Sequence, residues 1–198
     1  MGTARIESPS ENRRRRPREG KPRADAPLPQ IRGAAQWLVR DIPWHRSPLV
    51  LSLGSAILMW AAFPPLNLWP IAWFAPIGLL RLIDEPDLIG RRPYRTIWVA
   101  GFVHWALVFH FLPLPHWAGY FGWVALSFYL AFYFPAFVVL TRLARHRLGM
   151  PLALAAPVAW TALELVRGYL FTGISMALLG HTQVAWLPVI QIADLVGA

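Results

Sequence analysis

Glu164 and Arg167 stand three residues apart in a stretch, Pro151–Phe171, that is otherwise uncharged. Residues i and i+3 of a helix share a face, so this carboxylate and guanidinium can pair. Counted from Pro151, they lie about 20 and 24 Å along the helix axis, close to its far end. A charge in hydrocarbon costs on the order of 2.5–3.5 kcal/mol on insertion scales, so such residues face a cavity or a partner. Two readings stand side by side: a structural ion pair that anchors the helix end, and a polar group that works at a site. His104, His110 and His116 recur every six residues. Six residues turn a helix by about 240°, so the three point some 120° apart. Pro113 and Pro115 also end the helix before His116. These are interfacial or core histidines rather than a ligand set, and no metal site is expected. The chain has no cysteine, so no disulfide, thiolate metal site or thiol nucleophile can be built from these residues.

The elements that carry these residues follow from composition. Hydrophobic residues make up 56% of the 198 and charged residues 15%, against about 25% charged in ordinary globular domains. The net charge of +9 invites a nucleic-acid partner, but 11 of the 19 Lys+Arg fall in residues 1–46. That tail, with Arg13–Arg16 interleaved with Pro and Glu, has no aromatic residue before Trp37. It reads as a disordered cytoplasmic tail that sets topology, with no nucleic-acid partner, and 31–46 as an interfacial helix.

From residue 48 onward uncharged stretches alternate with short basic loops, as a bilayer requires. Spans are expected near 48–63, 66–83, 96–114, 117–140, 151–171 and 184–198. The fold class is therefore all-α, a polytopic transmembrane helix bundle of about six spans. The first pair is close to a tight hairpin, because sixteen residues rise only about 24 Å against a ~30 Å core; spanning is preferred over re-entry. The last stretch is still apolar at Ala198 and rises only about 22 Å, so it is expected to be truncated and the chain a fragment. Pro157 is expected to kink the fifth span. The tail, the 81–95 loop and the 142–147 loop carry Arg, whereas the turns at 64–65, 113–117 and 172–183 carry none. This alternation puts the N-terminus in the cytoplasm and 172–183 outside. Trp69, Trp73, Trp98, Trp117, Trp123 and Trp186 fall near span ends, where amphipathic rings prefer to lie.

A family resemblance adds to this reading. Ala156-Pro157-Val158-Ala159-Trp160 leads into Glu164-Leu165-Val166-Arg167-Gly168-Tyr169 and then Thr172-Gly173, followed by Gly180-His181-Thr182-Gln183. This resembles the apolipoprotein N-acyltransferase pattern AP-x-x-W, E-x-x-RG-aromatic, TG and G-aromatic-S/T-Q. Phe63-Pro64-Pro65-Leu66-Asn67-Leu68-Trp69-Pro70 is similar to that family's first hairpin. Two departures concern the acyl cavity: Ile174-Ser175-Met176 replaces the family's usual Phe-Pro-Trp, and His181 stands where an aromatic is common.

The resemblance implies a multi-pass protein of the cytoplasmic (inner) membrane that transfers a fatty acyl group from phospholipid to the N-terminal cysteine of an apolipoprotein. It implies a monomer working without a cofactor, through a Glu-Lys-Cys triad in a nitrilase-like domain beyond these residues. No catalytic residue is carried over, and these residues alone are expected to be inactive. By resemblance Glu164, Arg167, Trp160, Tyr169, His181 and Gln183 are expected to line the mouth of a lipid cavity; the planar donors of Arg167 and its depth, rather than the resemblance, suggest contact with phospholipid phosphate. A transporter or channel subunit is the competing class; it predicts internal repeats and polar residues at mid-bilayer. A non-catalytic membrane scaffold is a third reading.

Overall fold

The computed structural model describes residues 44–170 and 173–191, together with Gly2. The basic tail, nearly all of 31–46, and residues 192–198 of the sixth expected span lie outside them. The described residues from Trp44 onward belong to one compact unit and hold seven α-helices and no strand. The helices are α1 (Pro48–Ala61), α2 (Ile77–Asp84), α3 (Pro93–Val108), α4 (Gly119–Leu130), α5 (Tyr133–His146), α6 (Leu152–Tyr169) and α7 (Leu187–Ile190). Short 3₁₀ helices occupy Trp44–Arg46, Trp69–Trp73 and Leu179–Ala185.

Prolines decide where these helices begin and break. Pro48 and Pro93 open α1 and α3, where a missing N–H costs nothing. The second expected span, 66–83, is not one helix. Pro70 and Pro76 each remove a backbone donor, so the chain makes a 3₁₀ turn over Trp69–Trp73 before α2 begins. The eight residues of α2 rise only about 12 Å. The fourth expected span is longer than 117–140: α4 and α5 follow one another to His146 with a break at Ala131–Phe132. Pro135, in the first turn of α5, collides with a helical carbonyl four residues back, which places the break at Ala131. Together Gly119–His146 form the one described stretch long and apolar enough to cross a membrane; Pro48–Ala61 is a shorter apolar helix. The third helix stops at Val108, where turns replace the expected run to 114. α6 keeps to the fifth expected span and runs unbroken through Pro157.

Packing brings α1 against α3 and α2, and α5 against α3 and α6. The main core joins Met59, Leu79, Ile97, Phe134 and Phe137. α1 and α2 approach closely at Gly78, where a Cβ would lie 2.3 Å from the Leu51 carbonyl oxygen. Several polar side chains are enclosed in this apolar core while large apolar side chains face outward. Ser52, Ser55, His104, Ser127 and Thr141 are buried, while Leu49, Val50, Ile57, Phe121 and Phe128 are exposed. Ser55 Oγ accepts the Leu79 N–H at 3.2 Å, and His104 Nδ1–H donates to the Ala56 carbonyl at 3.0 Å. So many large apolar side chains on the outside are disfavoured in water, a cost that hydrocarbon would not impose. His110 and His116 make separate local bonds, to Leu107 O at 2.8 Å and from the Ala118 N–H at 3.1 Å.

The two ends of the bundle differ in charge. At one end Arg142 donates to the carbonyls of Leu82, Ile83, Glu85 and Pro86 at 2.9, 3.3, 2.6 and 2.7 Å, closing the C-terminus of α2. Arg46 pairs with Glu85 at 2.8 Å and Arg145 with Asp84 at 3.3 Å beside it. At the other end Phe63–Pro65, Val108–Phe111 and Met176–Ala177 surround one cavity of ≈ 340 Å³. Arginine-bearing connections thus gather at one end and arginine-free turns at the other.

Candidate functional site

The site is built where α6 ends and the chain doubles back on it. Leu170 leaves the helix with extended backbone (ψ 137°). Gly173 then takes φ +78°, a left-handed conformation that glycine adopts without strain. Space imposes the same choice, since a Cβ at Gly173 would stand 2.2 Å from the Gly168 carbonyl oxygen. The Ile174 N–H donates to the Arg167 carbonyl at 3.0 Å, so the returning strand of chain lies along the helix it has just left.

Glu164 and Arg167 both reach for that returning segment. The Leu179 N–H donates to Glu164 Oε1 at 2.8 Å. Arg167 Nη2–H donates to the Ala177 carbonyl at 3.4 Å, and the guanidinium carbon sits 4.8 Å from the ring centroid of Trp105. The direct Glu164–Arg167 ion pair that their spacing predicts is not formed; among the described residues the ion pairs are Arg46–Glu85 and Arg145–Asp84. The return segment explains this, because its free N–H and carbonyl offer each charge a backbone partner that would otherwise be left unsatisfied. Arg167 is only 3% exposed, and the π face of Trp105 takes much of the place of a counter-ion; a desolvated contact of this kind is worth about 2 kcal/mol.

Gln183 ties the end of this segment to the first hairpin. Its Oε1 accepts the Trp73 indole N–H at 3.1 Å, and its Nε2 donates to the Trp69 carbonyl at 3.3 Å and to Thr182 Oγ1 at 2.9 Å. Trp69 and Trp186 pack with ring centroids 5.4 Å apart. Sequence motifs more than a hundred residues apart therefore form one wall.

Between this wall and α6 lies an open groove of ≈ 530 Å³, reached by Trp73, Pro76, Pro157, Trp160, Thr161 and Glu164 among others. Its lining is mostly apolar, with Thr161, Glu164 and Gln183 as the polar side chains among the lining residues. Behind Trp160 and Glu164 a second space of ≈ 20 Å³ is bounded by Trp105, Tyr133, Phe137 and Arg167. Trp160 forms the partition, with its ring set edge-on to Phe137 at 5.0 Å.

Of the six residues singled out from sequence, Trp160, Glu164 and Gln183 meet at the groove, and Arg167 lies just behind them. His181 lines the separate end cavity with Phe63 and Phe109. Tyr169 is 82% exposed and lines neither space. Sequence reasoning missed Trp73, Trp105, Tyr133 and the Leu179 N–H. Trp73 carried no mark that set it apart from the other interfacial rings, Trp105 lay unmarked within the third expected span, and a backbone N–H carries no mark at all.

The fold and this geometry define an all-helical domain with an apolar exterior, a mainly apolar core that encloses several polar side chains, and a side groove closed by a doubled-back segment. Residues 55–198 match the family model of the apolipoprotein N-acyltransferase N-terminal domain. The chain is 35% identical over 157 residues to an apolipoprotein N-acyltransferase of Rhodopirellula baltica, covering 74% of this chain and 27% of that protein. Apolipoprotein N-acyltransferases of Geobacter metallireducens and Haemophilus influenzae are 31% and 28% identical over 160 and 141 residues, covering 77% and 68% of this chain and 30% and 26% of those proteins. The chain belongs to the apolipoprotein N-acyltransferase family and corresponds to its N-terminal domain. It spans between a quarter and a third of the length of these relatives.

Proposed function

We propose that residues 48–198 are the multi-pass membrane domain of an enzyme that moves a fatty acyl group from a phospholipid to the N-terminal cysteine of an apolipoprotein. In this reading the groove beside α6 receives an acyl chain of the phospholipid donor. Family membership supports the reaction, and the groove supports the role of this part. A mostly apolar channel of ≈ 530 Å³, open at the side and with a carboxylate and an amide in its lining, suits a hydrocarbon chain with a polar head at its mouth. Arg167, held behind Trp160 and Glu164, sets the positive field at that mouth and fixes the return segment. Direct contact of Arg167 with phosphate would require the Glu164–Leu179 contact to open.

The membrane reading draws on the large apolar side chains exposed on the bundle and on the separation of arginine-bearing and arginine-free connections. By the positive-inside rule the arginine end is cytoplasmic, together with the N-terminus, and the groove mouth and residues 173–186 lie outside. The 198 residues contain no cysteine, so a thioester cannot form on them. These residues would position lipid for chemistry performed by residues outside them.

A groove-filling substitution in the full-length enzyme tests the assignment. Thr161→Trp places a bulky ring in the groove, whereas Val158→Trp, at an exposed position on the same helix, leaves the groove open. Acyl transfer to a diacylated lipopeptide should fall at least tenfold in Thr161→Trp and stay near normal in Val158→Trp, at equal membrane abundance. Equal activity of the two variants would remove the groove from the reaction.

A further inference from the structure

A second sizeable cavity lies away from the groove, at the arginine-bearing end. It measures ≈ 640 Å³ and sits between the start of α1 and the start of α3. Ser47, Pro48 and Leu49 form one side, and Arg91, Arg92, Arg95 and Thr96 the other, with Ile89 and Val99 along the wall.

The arginines at this end differ in what engages them. Arg46, Arg142 and Arg145 are engaged with carboxylates and carbonyls of the protein itself. The side chains of Arg91, Arg92 and Arg95 have no hydrogen-bond or ion-pair partner among the described residues, and all three are exposed at the cavity. Among the described residues that line it none is acidic. The side chains of Arg81 and Arg147 also lack such a partner, but Arg81 shares a pocket with Asp84 and Glu85. Among the described residues no carboxylate pairs with the three cavity arginines. Both flanking helices also lack an acidic residue in the first turn and a side-chain cap, so their N-terminal N–H groups add positive potential.

The walls are apolar where they leave the arginines. Leu49 is 44% and Val99 39% exposed, and both continue onto the outer apolar surface of α1 and α3. A ligand that fits must be anionic at one end and hydrocarbon at the other. Inorganic phosphate would leave the apolar wall uncovered, and a nucleotide would place a polar sugar against it.

We propose that this cavity is a binding site for an anionic phospholipid of the cytoplasmic leaflet, with the headgroup phosphate among Arg91, Arg92 and Arg95 and an acyl chain along Leu49 and Val99. The site is separate from the groove that receives the acyl donor, and it lies at the opposite end of the bundle. Basic pockets between helices on the cytoplasmic side bind anionic headgroups by this combination of guanidinium geometry and surface potential. The lipid would hold α1 and α3, the pair with the most extensive contact, together at their cytoplasmic ends. This inference rests on the membrane reading given above.

The test uses the 198-residue chain in nanodiscs of phosphatidylcholine doped with phosphatidylglycerol, read by native mass spectrometry of retained lipid. The wild-type chain should retain phosphatidylglycerol above its bulk fraction. Each cationic residue near a membrane surface changes binding about fivefold, so Arg91→Ala/Arg92→Ala/Arg95→Ala should weaken retention by on the order of a hundredfold. The same number of changes in the tail, Arg13→Ala/Arg14→Ala/Arg15→Ala, should leave retention within about twofold. Raising salt from about 50 to about 500 mM should reduce the wild-type preference without any substitution, which covers the case of a triple variant that does not fold. Unchanged retention in the cavity variant, or equal loss in the tail variant, would overturn the proposal. Competition by millimolar inorganic phosphate alone would show a phosphate site rather than a lipid site. Failure of the chain to embed in nanodiscs would sink the membrane reading itself, whereas embedding without lipid preference sinks only this inference.

Discussion

Glu164 offers the sharpest test of how the return segment is held. Its Oε1 receives the Leu179 N–H at 2.8 Å, and no helix bond of α6 depends on the side chain. A hydrogen bond to a charged acceptor contributes about 1.5–3 kcal/mol, and one to a neutral acceptor about 0.5–1.5. Glu164 is half-buried, so water competes and a value of about 2 kcal/mol is appropriate for the carboxylate. Glu164→Ala removes the whole bond. At about 1.4 kcal/mol per factor of ten, opening of the segment should become roughly thirtyfold more frequent. Glu164→Gln keeps an oxygen acceptor worth about 1 kcal/mol and should raise opening only about fivefold. Hydrogen–deuterium exchange of the peptide covering 174–185 reads this directly, because the Leu179 amide is itself the donor. Amides in the middle of α3, around Ala100, serve as the internal reference and should not change. Unaltered exchange at 174–185 in Glu164→Ala, or equal acceleration in the Gln and Ala variants, would refute the claim that this carboxylate holds the segment.

Gly173→Ala should destabilise the same segment by more than the ~1–2 kcal/mol of left-handed strain, because its Cβ also meets the Gly168 carbonyl, whereas Gly180→Ala enters open space and should be silent; membrane abundance and exchange at 174–185 check both. Arg167→Lys should lose the planar contact with Trp105, lowering abundance or activity, and combining it with Trp105→Leu should do less harm than the sum of the two. Cysteines placed singly at Asp87, Arg147 and Met176 of this cysteine-free chain should label from the cytoplasm, the cytoplasm and the outside, and labelling of Asp87 and Met176 from one side would overturn the orientation.

Much of the helix order was legible because prolines and loop charges mark it. α6 could be placed between Pro151 and the glycine turn, and Arg-free turns could be separated from Arg-bearing loops by inspection. The second segment was misread because hydropathy over 66–83 is continuous, and only the missing N–H groups of Pro70 and Pro76 forbid one helix. The break at Ala131 hides for a similar reason, since Pro135 acts on a carbonyl four residues back. Spacing showed that Glu164 and Arg167 share a face, but not that each would choose a backbone partner. That choice depends on a chain reversal after Leu170, whose geometry is set by Gly173 and by contacts more than ten residues away. The meeting of Gln183 with Trp69 and Trp73 joins segments 110 or more residues apart, and no local pattern encodes such a contact.

The most direct test of the central claim is photo-crosslinking of the acyl chain in its groove. The full-length enzyme, reconstituted with a phospholipid carrying a diazirine along one acyl chain, is irradiated and its adducts mapped by mass spectrometry. The account predicts adducts concentrated on Trp73, Pro76, Pro157, Trp160 and Thr161, with fewer on the exposed apolar Phe121 and Phe128 of α4. Adducts spread evenly over the exposed apolar surface, with no excess at the groove, would contradict it.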